Sequence, residues 1–264
     1  MELVDVGGRR IAYHRAGAGE PAVLLHGGWS DGRAWQRQLA GLAGFDLIAW
    51  DAPGCGGSAD PAARMTLSDY ADVLAEVVTA LGVERAHLCG LSWGGGLAIA
   101  VWQRHPELVR SLVLAGAYAG WKGSLPPDEV EARVRRIRAE AERPPAEWMD
   151  GYLPSFFAGP VPAEATQLIR TMMAESRPAG SLMMLTAFAE ADLSAVLPTI
   201  DVPTLLLWGE CDQRAPVGTV AATLWARIPG AELVVLPGVG HYNNLEAPEE
   251  FNAEVRRFLG DSRR

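Results

Sequence analysis

The sequence predicts an α/β protein: a mostly parallel sheet of eight strands, flanked by helices and interrupted once by a helical insertion. Three observations predict this class. Short apolar runs alternate with longer stretches at helical spacing. A glycine-rich turn around Ser92 joins one such run to a helix of small residues. From Tyr118 to about Pro198 the alternation stops and no convincing strand occurs.

In chain order, the strand candidates cover residues 3–6, 10–14, 22–25, 47–50, 86–89, 109–115, 204–208 and 233–236. Gly7-Gly8 separates the first two, a hairpin signal. Helical stretches separate the others, which makes parallel pairing the expectation. The clearest helix spans 66–81, where Leu67, Tyr70, Val73, Leu74, Val77 and Val78 recur on one face and Gly82 stops the run. Further helices are expected at 94–104, 217–227 and 248–259.

The insertion is marked by Pro126, Pro127, Pro144, Pro145, Pro154, Pro160, Pro162 and Pro178, with helical stretches between them. Five of the seven methionines fall there, which suggests an adaptable cover over the core. Its first helix, 128–142, places Val130, Val134, Ile137 and Ala141 on one stripe. Arg133, Arg135, Arg136 and Arg138 could form an anion site. Balanced by Glu129, Glu131, Glu140 and Glu142, they read instead as a solvated face. The expected division is a core of residues 1–117 and 198–264 with a helical cap at 118–197.

The 264 residues carry 23 Lys plus Arg against 32 Asp plus Glu, a net charge of −9, and no large basic cluster. Such a surface repels phosphate backbones and anionic membranes, so neither nucleic acid nor a membrane is expected as a partner. No apolar run approaches the ~18 residues of a membrane span. The first residues lack the basic-then-apolar order of a signal peptide. Cys55, Cys89 and Cys211 are too far apart for a metal-ligand or CxxC pattern and read as reduced thiols. A cytoplasmic protein is expected, and a homo-oligomer stays open.

The chemistry centres on Gly90-Leu91-Ser92-Trp93-Gly94. Alone, a GxSxG is a weak signal, and a glycine-rich turn with an incidental serine would match it. Here a strand ends at Gly90 and a helix with Gly95, Gly96, Ala98 and Ala100 follows. A serine on such a turn is held strained with its hydroxyl exposed, next to the unpaired N–H groups of a helix start.

With these residues the chain resembles the α/β-hydrolase fold family over nearly its whole length. The order of nucleophile, acid and histidine is met by Ser92, by Asp212 in Trp208-Gly209-Glu210-Cys211-Asp212, and by His241 in Gly238-Val239-Gly240-His241. His26-Gly27-Gly28-Trp29, the stretch Asp51-Ala52-Pro53-Gly54 and His105-Pro106-Glu107 are further family marks. The resemblance implies a helical cap and three roles: Ser92 as nucleophile, His241 as base and Asp212 as the acid that orients it. His26 is the rival base near the site, though its family place supports a loop. Glu210 is the rival acid and Asp51 the remaining candidate, which the family marks as structural. The resemblance also implies an oxyanion hole formed by the backbone N–H groups of Gly28 and Trp93, with Trp29 next in line.

Trp29 and Trp93 flank the expected site and Tyr242 follows the histidine; the insertion adds Trp121, Trp148, Met149, Tyr152, Phe156, Phe157 and Phe188. The substrate-binding candidates are Trp29, Tyr118, Trp121, Trp148, Tyr152, Phe157 and Tyr242. Aromatics and methionines favour a small to medium apolar substrate. No phosphate-binding, zinc-protease or dinucleotide motif is present, so no metal or cofactor is expected. The resulting expectation is a carboxylic ester hydrolase acting on a small-molecule ester or lactone. A lactonase, a C–C bond hydrolase or a perhydrolase could use the same triad, and a ligand receptor could reuse the fold. The stretch 87–92 is similar to enol-lactonases of aromatic catabolism.

Overall fold

The computed structural model describes residues 1–159 and 162–261. Pro160 and its neighbour 161, assigned above to the insertion, and residues 262–264 of the closing core segment lie outside the described residues. The strands are β1 (Glu2–Val6), β2 (Arg9–Gly17), β3 (Glu20–Leu25), β4 (Phe45–Trp50), β5 (Ala86–Leu91), β6 (Val109–Ala115), β7 (Thr204–Gly209) and β8 (Glu232–Leu236). They form one sheet in the order β1-β2-β4-β3-β5-β6-β7-β8. Pairing from β4 through β8 is parallel.

The hairpin expected across Gly7-Gly8 is present, with β1 and β2 antiparallel, but the parallel pairing expected of the other strands fails between β2 and β4, which also run antiparallel. The cause is the length of the link to β3: β2 ends at Gly17 and β3 starts at Glu20. Two residues cannot make the crossover that parallel neighbours need. The chain therefore reverses, and β4, parallel to β3, slots between them and meets β2 antiparallel.

The helices are α1 (Gln36–Gly41), α2 (Leu67–Ala80), α3 (Trp93–Arg104), α4 (Pro127–Ala141), α5 (Leu153–Phe156), α6 (Ala163–Glu175), α7 (Pro178–Glu190), α8 (Ala222–Arg227), α9 (Asn243–Glu246) and α10 (Pro248–Asp261). A capping box starts α2: Thr66 Oγ1 accepts from the Asp69 N–H at 3.2 Å, and the Asp69 carboxylate accepts from the Thr66 N–H at 2.7 Å. The predicted helix at 217–227 begins as a π-helical turn, Val217–Ala221, before α8. Helix α1 was not anticipated. Its buried residue is Gln38, whose amide donates to the Asn244 carbonyl and to Asn252 Oδ1, so no apolar stripe marks it.

Strands β5 and β7 are buried at every position, and β6 at all but one. Such near-continuous apolar runs suit a parallel sheet covered on both faces. Among the described residues, the segment between β6 and β7 contains helices and no strand, and α4 packs on α7 there. No helix among the described residues is long and apolar enough to cross a membrane.

Candidate active site

Ser92 closes β5 and opens α3 with φ 55° and ψ −111°, a region that costs a non-glycine residue roughly 1–3 kcal/mol. Its own N–H donates to the Ala115 carbonyl at 2.8 Å, and its carbonyl accepts from Gly95 and Gly96. Tight packing of the helix start onto β3 explains the glycine at 94, where a Cβ would meet the Leu25 carbonyl. The half-buried Ser92 side chain therefore sits on a short, over-determined turn.

Asp212 follows β7, and His241 lies on the loop after β8. His241 Nδ1 and Asp212 Oδ2 are 2.8 Å apart, and both side chains are buried. Asp212 Oδ1 accepts the N–H groups of Arg214 and Ala215 at 2.8 and 2.9 Å, which pins the carboxylate. With the acid on Nδ1, the imidazole carries its proton there and leaves Nε2 as acceptor. Above the pair, Gly116 has φ +49°; a Cβ there would stand 3.1 Å from both Asp212 Oδ2 and His241 Nδ1. Ser92 and His241 line one cavity of about 20 Å³, roughly the room one water needs.

The rivals are engaged elsewhere. His26 uses both ring nitrogens: Nδ1–H donates to the Gly27 carbonyl at 2.8 Å, and Nε2 accepts from the Ala52 N–H at 3.1 Å. Burial holds its pKa below the ordinary imidazole value. His87 meets Ser111, and His105 meets Asp72. Glu210 accepts from the Gly238 N–H, and Asp51 accepts from the Gly32 and Gly57 N–H groups.

The loop after β3 is braced from both sides. His26 and Ser30 hold the Gly27 carbonyl, and the Tyr242 hydroxyl donates to the Gly28 carbonyl at 3.2 Å. In a trans peptide the N–H points opposite its carbonyl, so fixing the Gly27 oxygen also fixes the Gly28 N–H. Neither this N–H nor that of Trp93, the first residue of α3, donates a hydrogen bond among the described residues. Trp29 carries the only other non-glycine positive φ among the described residues, 59°.

Of the expected binding residues, Trp29, Tyr118, Trp121 and Tyr242 line the Ser92 cavity, with Phe156 and Phe188. Tyr152 lines a neighbouring chamber. Trp148 and Phe157 line neither: the Trp148 ring backs Trp29 at 4.7 Å between centroids, and Phe157 packs on Tyr242 at 6.1 Å. Both sites are also free of methionine. Met172, Met173 and Met184 are buried, and Met184 meets Cys55 instead.

Sequence reasoning missed Leu185 and Arg214 and misread Arg133 as solvated; all three line the Ser92 cavity. A signal for Arg133 existed, since it stands three positions after Val130 and four before Ile137, on the buried side of α4. Its guanidinium donates to Glu129 at 2.7 Å and to the Arg214 carbonyl at 2.9 Å. Tyr118 and Glu129 raise its pKa against the opposing effect of burial. The Tyr118 hydroxyl donates to the same Arg214 carbonyl, so α4 and the segment after β6 together hold the loop that carries Asp212.

A serine hydroxyl, an acid-oriented imidazole and two free N–H groups around one cavity can carry out acyl transfer. Among curated relatives, a 2-hydroxy-6-oxononadienedioate/2-hydroxy-6-oxononatrienedioate hydrolase of Paraburkholderia phymatum is 31% identical, across 95% of this chain and 91% of its own length. A solved thermophilic esterase from Thermogutta terrifontis superposes with a TM-score of 0.89 at 26% identity, covering 99% of each chain. The enol-lactonase of Burkholderia xenovorans superposes with a TM-score of 0.86 at 25% identity, covering 98% of this chain and 100% of its own. The family model described as the alpha/beta hydrolase family matches residues 22–254, from β3 into the last helix. A match of that extent, serine turn and sheet together, makes this chain a member of the alpha/beta hydrolase family.

Proposed function

We propose that the chain is a serine hydrolase that cleaves a carboxylic ester through an acyl-enzyme. Ser92 Oγ attacks the ester carbonyl carbon while His241 Nε2 takes the hydroxyl proton. Asp212 stabilises the imidazolium through Nδ1–H, and the Gly28 and Trp93 N–H groups receive the oxyanion, each typically worth ~3 kcal/mol in the barrier. The imidazolium then gives its proton to the departing alkoxide, leaving an ester of Ser92. Water enters, His241 takes its proton, and collapse of the second tetrahedral adduct releases the acid and restores the serine.

The observation that carries this reading is Ser92 at φ 55°, facing a cavity that it shares with the Asp212-bonded His241. In the test, Ser92→Ala loses at least about 10³-fold in kcat on 4-nitrophenyl esters and no longer takes up a fluorophosphonate label, with an unchanged circular dichroism melt. Wild-type turnover in that variant would remove Ser92 from the mechanism.

A second reading, cleavage of a C–C bond beside a ketone, draws support from the 31%-identical relative named for an oxo-dienedioate hydrolase. Turnover of a vinylogous 1,5-diketone acid above that of matched esters would select it.

A further inference from the structure

Beyond the Ser92 cavity lies a chamber of about 210 Å³. The two adjoin along one shared wall, since Trp29, Trp121, Arg133, Leu185 and Arg214 line both. The inner space admits little more than a water, so a substrate whose carbonyl sits at Ser92 must extend outward along it. The outer chamber gains Arg136 and has no carboxylate among its lining residues, in a chain whose net charge is −9.

The three guanidinium groups are not equivalent. Arg133 is paired with Glu129 and Arg136 with Glu140, each at 2.7 Å. Arg214 pairs with no carboxylate among the described residues; its side chain reaches only Ser155 Oγ, at 3.3 Å. It lies 5.2 Å from the ring centroids of both Tyr152 and Phe156, which hold the cation in place and leave donor edges unused. A half-buried guanidinium without a counter-ion is costly, and an anion presenting a planar oxygen pair relieves that cost.

We infer that this chamber receives a carboxylate carried by the substrate, with Arg214 as its main partner. The inference rests on the Ser92 reading for the position of the reacting carbonyl, and it names the substrate class: an acid-bearing ester. An apolar linker passes Trp29, Trp121 and Leu185, and a terminal carboxylate lies beyond. The Glu129 and Glu140 pairs leave one positive charge over, which matches a monoanion and leaves a phosphate dianion under-compensated.

The test compares 4-nitrophenyl hexanoate with mono-4-nitrophenyl adipate, two acyl chains of equal length that differ in the terminal carboxylate. The wild type is expected to favour the adipate ester in kcat/KM by about ten-fold or more. In Arg214→Gln that ratio falls to about one, and Arg214→Lys keeps part of it. No preference in the wild type, or a preference untouched in Arg214→Gln, overturns the inference. If Arg214→Gln does not fold, the wild-type ratio and the lysine variant decide.

A second arm does not depend on turnover. Calorimetric titration of adipate into the Ser92→Ala protein should show saturable binding that is about ten-fold weaker when Arg214→Gln is added. If the wild type cleaves neither ester, the Ser92 reading fails while this titration still judges the chamber. Absent adipate binding, or tighter binding of inorganic phosphate, overturns the carboxylate assignment.

Discussion

His26 shows how a histidine stacked on Trp93, next to Ser92, can have both ring nitrogens taken up by the backbone. Its Nδ1–H braces the Gly27 carbonyl, and its Nε2 accepts the Ala52 N–H, so a second ring proton would face a donor. Burial correspondingly lowers its pKa from 6.5. The unfolded chain binds this proton as the pH drops through about 6.5 and the folded chain does not, so stability is full above that value and declines below it. The slope from one such group is at most about 1.4 kcal/mol per pH unit. Urea midpoints measured from pH 8 to 5.5 should fall over the lower half of that range. His26→Gln should flatten the decline, and an equal slope in the variant would assign it to other groups.

At the scale of elements, the unit that matters is β5 running into α3. Strand and helix meet on the strained Ser92 turn because the first residues of α3 lie against the backbone of β3. Gly94→Ala would press a methyl onto the Leu25 carbonyl, which a paired central strand cannot move aside. The expected loss is about 1–3 kcal/mol in urea unfolding, with a larger fall in rate for the ester cleavage proposed above because Ser92 shifts with the helix. Unchanged stability would show that the helix start has room to slide. Helix α4 is the element read least well from sequence. Its charges look like a solvated face in one dimension, and Arg135 with Glu131 is one. Arg133 and Glu140 share the side of Val130 and Ile137 and turn inward, where Glu140 accepts the Tyr152 hydroxyl at 2.6 Å.

At the scale of the whole molecule, the insertion is tied to the sheet by side chains distant in sequence. Arg177 bonds Asp60 at 2.6 Å, the Gly56 carbonyl at 2.8 Å and the Ser58 carbonyl at 2.7 Å, joining the start of α7 to the loop after β4. Surface ion pairs alone contribute little, but two charge-assisted bonds to backbone carbonyls add to this one. Arg177→Ala should therefore cost about 1–2 kcal/mol and lower Tm by roughly 2–6 °C in a differential scanning experiment. A Tm unchanged within error would mean that packing alone holds the insertion to the core.

The sequence by itself determined the α/β class, all eight strands, the strand-free helical stretch between β6 and β7 and the motifs around Ser92, Asp212 and His241. These are local matters: period, turn chemistry and short motifs in order along the chain. The antiparallel pairing of β2 with β4, the helix built on Gln38 and the inward turn of Arg133 were settled only in three dimensions. So was the pairing of each arginine, which separates Arg214 from its neighbours. Whether a guanidinium has a counter-ion depends on which carboxylates the fold brings within reach, and spacing along one helix does not carry that information.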